Sequence, residues 1–244
     1  MKPVRLTPIY SQICGLTLLL WSLVGCGATE TPPPLPPADL VQQASKQLVA
    51  AKSLHFEIEL TGKLAYIDRP PTTALKRVEG DLLRPDRLRG LVKVSSFGLI
   101  SEIGLISLAG QHFVTNPLNQ QWEPLPAEWG WYFDPRLPFD AELGIPAIAP
   151  QIEFTHQGLE TLDSGPAYRL EGVAQGRQLT AWSAGLIADG DVPLTLWIDP
   201  ATFQLRQVQM IELGTDPERP TTWLIRFDQW DEPVEINLPP LSQE

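Results

Sequence analysis

The chain has 244 residues, a formal net charge of -11 and only two cysteines. This acidic balance argues against nucleic-acid binding, which depends on contacts between Lys or Arg side chains and phosphates. It also argues against docking to anionic lipid headgroups through a basic patch. The length allows one large domain or two small ones with a sizeable core.

The first 25 residues have the features of a bacterial signal peptide. They contain no acidic group, carry Lys2 and Arg5, and continue into an apolar run, 13–24, that is too short to cross a membrane as a helix. The run ends in Leu23-Val24-Gly25-Cys26, which resembles the lipobox, whose cysteine receives a diacylglyceryl thioether. We therefore expect cleavage before Cys26 and lipid attachment to it. The alternative is an ordinary secretory peptide with a chance cysteine.

Lipid on Cys26 would explain why the mature chain retains a single cysteine, since an unpaired cysteine is unusual in an exported protein. The mature chain would have 16 basic and 29 acidic residues, a net charge of -13. Residues 26–37 would form the lipidated cysteine and a Pro-rich linker, which favours extended polyproline II structure. We expect an extracytoplasmic protein anchored to the cell membrane. Gly27 lacks the aspartate of inner-membrane retention, so the outer membrane is an option in a diderm source.

A helix and a strand are predicted at the start of the remaining domain, 38–244. Apolar residues recur at three- and four-residue spacing between Ala38 and Ser53, which predicts a helix. Apolar and polar residues then alternate from Leu54 to Leu60. This alternation predicts a half-buried strand whose inward side chains include Phe56 and Ile58.

Short extended runs separated by Gly, Pro, Asn and Asp dominate the rest of the chain. They predict strands at 75–83, 87–95, 102–108, 111–115, 151–157, 167–173, 194–198, 204–213 and 221–229, with short helices within 138–150 and 178–185. A single sheet of that size tends to curl. The predicted fold class is α+β: a strongly curved antiparallel sheet, or half-barrel, with helices covering its concave face.

Several stretches resemble one family, the LppX/LprA/LprF/LprG-type bacterial lipoproteins, whose half-barrel is similar to that of the lipoprotein carrier LolA and its receptor LolB. After the lipobox and the linker, the similar stretches are residues 50–60, 78–90, 110–122, 192–206 and 225–240. The most diagnostic stretch is 192–206, which contains Trp197-Ile198-Asp199-Pro200-Ala201-Thr202. The resemblance implies an acylated lipid bound in a hydrophobic cavity between the curved sheet and its helices.

The expected ligand is a glycolipid, a phospholipid or a triacylglycerol, carried or presented within the cell envelope, with an envelope transporter as a further partner. Apolar residues on two stretches are the candidate cavity lining, although plain core packing would explain each one at least as well. These residues are Phe56, Ile58, Leu60, Phe97, Leu99, Ile100, Ile103, Leu105 and Ile106. The alternative function is a non-carrier envelope protein, namely a lipoprotein chaperone, receptor or sensor, with a packed core.

Aromatic residues cluster in a Pro-rich stretch that contains Trp122, Trp129, Trp131, Tyr132 and Phe133. The cluster is interpreted as a lid or a membrane-touching edge, or as a loop that packs its aromatics onto the sheet.

Catalytic and metal-binding patterns are missing from the sequence. The three histidines have no ligand spacing, and no Gly-x-Ser-x-Gly, P-loop or Gly-x-Gly-x-x-Gly motif is present. We therefore predict no enzyme activity, no cofactor, no metal and no catalytic residues.

Overall fold

The structure is a computed structural model that describes residues 35–68, 70–125, 136–183 and 185–239. Its strands are β1 (Ser53–Thr61), β2 (Ala65–Tyr66), β3 (Thr73–Leu83), β4 (Arg87–Ser96), β5 (Leu99–Leu108), β6 (Gln111–Thr115), β7 (Trp122–Pro124), β8 (Phe154–Leu162), β9 (Gly165–Gln175), β10 (Asp191–Ile198), β11 (Leu205–Glu212) and β12 (Thr221–Asp228). They form one open, curled antiparallel sheet in the order β7-β6-β5-β4-β3-β1-β12-β11-β10-β9-β8, with β2 paired to β3. The predicted fold class is confirmed.

The first helix, α1 (Pro37–Ala50), begins at a proline and buries one apolar stripe. Proline suits this position because the first N–H groups of a helix have no partner within the helix. Leu40, Val41, Ala44 and Leu48 are buried. The helix ends before the predicted Ser53, because Ala51 adopts extended dihedrals and Ser53 already pairs with Leu83 in the sheet.

Four short helical segments complete the described structure: α2 (Ile145–Ile148), α3 (Gly176–Leu179) and two 3-10 helices (Leu137–Phe139 and Ala149–Gln151). The helix α1 packs against α2, β8, β10 and β11, and α3 packs against β9. The helices therefore cover the half of the sheet that contains β8 to β11. We call this part the helix-covered half.

Strand alternation divides the sheet into an apolar inner face and a charged outer face. On the outer face, Arg226 bridges to Glu57 at 2.9 Å and Arg77 to Glu57 at 3.2 Å. Asp81 accepts hydrogen bonds from His55 and Arg89 on the same face. Burial alone would raise the pKa of Asp81, but these hydrogen bonds and the charge of Arg89 lower it.

Most strand predictions are confirmed to within a few residues. The range predicted as 151–157 is wrong at its start, because residues 149–151 form a 3-10 helix and the strand runs from Phe154 to Leu162. The strand predicted from Glu102 begins at Leu99. Both β2 and β7 were missed, since two or three residues are too few to show a periodic pattern.

Candidate functional site

One row of residues crosses six neighbouring strands on the inner face and contains two adjacent glycines. In this row Phe56 pairs with Gly80, Gly80 with Gly90, and Gly90 with Leu105. Phe227 extends the row on the β12 side and Val114 extends it on the β6 side. Both glycines are buried. We call the inner face of β1, β3, β4, β5 and β6 the glycine half.

The two glycines have different physical reasons for lacking a side chain. A Cβ atom at Gly80 would lie 2.2 Å from the carbonyl oxygen of Arg89, so the backbone itself requires glycine there. A Cβ atom at Gly90 would lie 3.3 Å from the carbonyl oxygen of Glu79, and the nearest described side-chain atoms, from Leu88 and Val78, would be 3.8 and 3.9 Å away. At Gly90 a side chain would therefore meet the backbone of β3 closely, but no described side-chain atom nearer than 3.8 Å.

The two glycines create a stretch of inner face that carries no side chains. Its borders are Phe56 on β1 and Leu105 on β5, on strands that lie about 14 Å apart across three inter-strand spacings. The neighbouring row is entirely aliphatic, with Ile58, Val78, Val92 and Ile103 in register. The stretch is thus a shallow apolar groove, which we call the glycine groove.

Aromatic rings close the groove on the β1 side. The ring of Phe139 lies 4.7 Å from that of Phe56 and 6.3 Å from that of Phe227, measured between centroids. Arg84 donates hydrogen bonds to the carbonyl oxygens of Leu48, at 3.0 Å, and Phe139, at 2.9 Å. These bonds tie the segment that carries Phe139 to the end of α1. Burial lowers the pKa of Arg84, although the charge of Asp140 opposes the shift.

A single hydroxyl group interrupts the apolar inner face near the groove. Ser107 is the next inward residue after Leu105 on β5 and pairs with Leu88. It is fully buried, and its Oγ atom has no hydrogen-bond partner among the described residues. A buried hydroxyl without a partner is costly, so Ser107 is a place where a polar group of a ligand would be favoured.

Five of the nine predicted cavity-lining residues lie together on the glycine half. Phe56, Ile58, Leu60, Ile103 and Leu105 are all buried there and belong to one hydrophobic cluster.

The other four predicted residues lie outside this buried cluster, and their place in a cavity stays a prediction. Ile106 is buried on the outer face, since it pairs with Arg89 and Phe113. Phe97, Leu99 and Ile100 are 87%, 74% and 68% exposed at the turn between β4 and β5. The chain reverses direction at this point and presents these three apolar side chains to solvent.

The helices of the helix-covered half pack closely against its inner face. A cavity of about 20 Å³ lies between α2, α3, β10 and β11, which is room for about one water molecule. A Cβ atom at Gly172 would lie 3.0 Å from both Ile152 Cγ2 and Phe154 Cδ1. Ligand sites for molecules of drug size have volumes of about 300–1,000 Å³, so this small cavity does not accommodate an acyl chain.

A buried carboxylate on the helix-covered half has structural partners. Glu212 accepts a hydrogen bond from Trp223 Nε1 at 2.6 Å and another from the Ala188 N–H group at 2.9 Å. Across the described residues, no three or more His, Cys, Asp or Glu side chains are arranged to hold a metal ion. Glu212 therefore fastens the segment before β10 to the sheet.

Comparisons with known proteins identify the family. The model of the LppX_LprAFG lipoprotein family matches residues 36–236. The chain belongs to the LppX/LprAFG lipoprotein family. It is 26% identical over 236 residues, 94% of each chain, to the lipoarabinomannan carrier protein LprG of Mycobacterium tuberculosis H37Rv, and equally to that of Mycobacterium bovis AF2122/97.

Two crystal structures of family members have the same fold. LprF from Mycobacterium bovis superposes with a TM-score of 0.64 at 17% identity, covering 83% of this chain and 96% of LprF. LppX from Mycobacterium tuberculosis gives a TM-score of 0.58 at 16% identity, covering 82% of this chain and 97% of LppX. These likenesses confirm the predicted curled antiparallel sheet.

Other predictions fall on parts of the chain that the structure does not describe. Cys26, the signal peptide, and the aromatic residues Trp129, Trp131, Tyr132 and Phe133 lie outside the described residues. Trp122 is described, and its ring lies against Gly104 of β5 on the outer face. In the described parts of the chain, none of the helices is both long enough and apolar enough to cross a membrane.

Sequence reasoning missed the residues that shape the groove. Gly80 and Gly90 each interrupt a strand pattern, and such a glycine is a signal for close approach of a backbone or a ligand. That Phe139 packs on Phe56 follows from no local pattern, because 83 residues separate the two rings in sequence. The unpartnered Ser107 is likewise visible only once β4 and β5 are paired.

Proposed function

We propose that this protein is a lipid-anchored envelope lipoprotein that binds acylated lipid in the glycine groove and carries or presents it within the envelope. The observation that carries the proposal is the stretch without side chains at Gly80 and Gly90, set in an otherwise apolar inner face. An acyl chain needs an apolar surface, and the inner face around the two glycines provides one.

The energetics of acyl-chain burial support the proposal. Each buried methylene contributes about 0.8 kcal/mol, so ten methylenes contribute about 8 kcal/mol before ordering costs are subtracted. The aliphatic row beside the groove supplies this contact through Ile58, Val78, Val92 and Ile103. The Ser107 hydroxyl would donate a hydrogen bond to an ester carbonyl at one end of the chain.

The family supports a lipid-binding role rather than an enzymatic one. The relatives named LprG are called lipoarabinomannan carriers, which favours carriage for this chain as well. Glycolipids, phospholipids and triacylglycerols all present the acyl chains that the groove would recognise. An envelope transporter would pass the lipid to or from the protein.

The anchor is proposed from the lipobox at Leu23–Cys26. Lipid on Cys26 would hold the domain outside the cytoplasm at the cell membrane, or at the outer membrane of a diderm source. Growth with a clickable palmitate analogue tests it. We expect label on the wild-type chain and none on Cys26→Ala, and equal labelling of both would refute the anchor.

Extraction of the purified full chain with organic solvent, followed by mass spectrometry, tests lipid binding. We expect acylated lipid in a defined ratio to protein, and uptake of a fluorescent fatty acid by the extracted protein. Gly90→Leu fills the groove and should lose most of this uptake. Its control, Leu91→Phe, adds bulk to the next residue on the outer face and should keep it. Protein free of lipid that takes up no probe would refute the proposal.

A packed-core function is the second candidate, and the helix-covered half favours it. There the inner face is filled by Ile152, Phe154 and their neighbours, as expected for a lipoprotein chaperone, receptor or sensor that holds no free lipid. Capture of an acylated protein by the full chain, with no free lipid in the extract, would support this alternative.

A further inference from the structure

Two hairpin turns of the sheet have the same backbone geometry but very different side chains. Phe97 and Gly98, between β4 and β5, have φ angles of 51° and 82°. Ala109 and Gly110, between β5 and β6, have φ angles of 52° and 77°. Positive φ at both central residues is the type I′ geometry, for which Asn-Gly is favoured.

Phenylalanine is an unfavourable residue for the first position of such a turn. Bulky side chains at positive φ are outliers, and outliers of this kind concentrate at functional sites. The strain at Phe97 is not offset by packing within the protein, because its side chain is 87% exposed. At the equivalent position of the other turn the chain has a small alanine. The comparison of the two turns indicates that the Phe97 side chain makes a contact outside the molecule.

The turn at Phe97 is the centre of an uncharged apolar tip. Leu99 and Ile100 are 74% and 68% exposed, and no residue from Val94 to Ser101 is charged. We call Phe97, Leu99 and Ile100 the apolar tip.

We propose that the apolar tip enters the interfacial region of a lipid bilayer. A two-residue turn with exposed apolar side chains suits insertion between lipids. The strand pairing of Ser96 with Leu99 keeps its backbone hydrogen bonds in place on insertion. The Ser96 hydroxyl also bonds to Thr73 Oγ1 at 3.0 Å. The acidic chain has no attraction for an anionic surface, so the contact is apolar and favours neutral lipid.

Reach and position are consistent with this partner. The proposed linker between Cys26 and the start of α1 spans about 30 Å when extended as polyproline II, which keeps the domain close to the membrane that anchors it. Leu99 points to the inner face, as Ile103 does four residues later, a distance of about 14 Å along the strand. Leu99 therefore lies on the same face as the glycine groove, about 20 Å along β5 from Leu105, and insertion of the tip does not require that the groove hold lipid.

Hydrogen exchange of the full chain with and without phosphatidylcholine vesicles tests the proposal. We expect several-fold slower exchange at residues 96–101 with vesicles, and no change at the Ala109-Gly110 turn. This protection should persist in about 1 M salt, where charges are screened beyond about 3 Å. Phe97→Asn places a favoured Asn-Gly pair in the turn, so it should fold normally while its protection weakens by about tenfold or more. Ala109→Asn, the matched control, should behave as wild type.

Flotation with the same vesicles reports the anchor separately. Protein that floats without slower exchange at residues 96–101 would overturn the tip proposal, and so would equal protection in Phe97→Asn and wild type. Protection that appears only with anionic vesicles and disappears in salt would overturn the apolar mode of contact. Protection at high lipid concentration in protein that does not float would support the tip and refute the anchor.

Discussion

The two halves of the inner face follow the same rule of alternation but have different surfaces above them. In the helix-covered half, Ile152 and Phe154 fill the space over Gly172. In the glycine half, the described side-chain atoms nearest to a Cβ at Gly90 belong to the sheet itself. The difference teaches that an apolar strand face does not by itself define a binding site. What covers the face decides whether it is core or groove.

The largest effect is expected where the helix-covered half is most tightly packed. Leu196 on β10 is buried beside α2, so Leu196→Ala should lower the free energy of unfolding by about 2–5 kcal/mol. The control is Leu159→Ala on β8, whose side chain is 62% exposed and whose loss should cost at most about 0.5 kcal/mol. Urea denaturation of both variants gives the comparison. Equal effects would show that the helices do not form a packed layer.

The two groove glycines should respond differently to alanine. Gly80→Ala places a Cβ atom against the Arg89 carbonyl and should cost about 1–3 kcal/mol through overpacking. Gly90→Ala should cost about 1 kcal/mol or less, since its Cβ would lie 3.3 Å from the Glu79 carbonyl oxygen and no closer than 3.8 Å to a described side-chain atom. Thermal unfolding distinguishes the two. A large loss in Gly90→Ala would mean that the groove is filled.

A smaller effect on stability is expected at low pH, where one aspartate in each half becomes protonated. Burial alone would raise the pKa of Asp199, but hydrogen bonds from Thr202, Arg206 and Ala201 lower it. Asp68 lies beside the glycine half. Hydrogen bonds from Thr72 and Thr73 outweigh its burial and lower its pKa to about 2. Both pKa values are depressed in the folded state, so their stabilisation is complete above the unfolded value of about 4 and is lost as pH falls below it.

Substitution by asparagine should flatten this acid dependence. For Asp68→Asn the change should fall between about pH 4 and pH 2, and Asp199→Asn should likewise flatten the curve below about pH 4. Measuring unfolding free energy from pH 6 to pH 2 tests both. If the variants lose stability with acid as steeply as wild type, the hydrogen bonds do not stabilise the charged carboxylates.

Local periodicity was enough to predict most of the fold. The stripe of α1 and the strict alternation of β1 each lie within one continuous segment, so their burial followed from sequence. The geometry of the turn at Phe97 did not follow from sequence, because it is that of an Asn-Gly turn while its residues are Phe-Gly. The face of Ile106 was also undetermined, since Leu105 and Ile106 are adjacent apolar residues and only one of them can point inward.

The candidate site depended on pairings between strands, which periodicity does not supply. Gly80 and Gly90 become neighbours only because the Arg84–Asp86 turn sets the register of β3 and β4. Phe139 reaches Phe56 through the hydrogen bonds of Arg84, which connect three segments distant in sequence. Family resemblance predicted that an apolar interior binds lipid, and the strand register located the groove within it.

Photo-crosslinking with a diazirine-bearing fatty acid tests the central claim most directly. After irradiation of the full chain, peptide mass spectrometry locates each crosslink. We predict crosslinks on 54–60, 78–94 and 101–107, the strands of the glycine half, and their loss in Gly90→Leu but not in Leu91→Phe. Crosslinks concentrated on 145–152 and 194–210 would place the lipid in the helix-covered half and contradict the account.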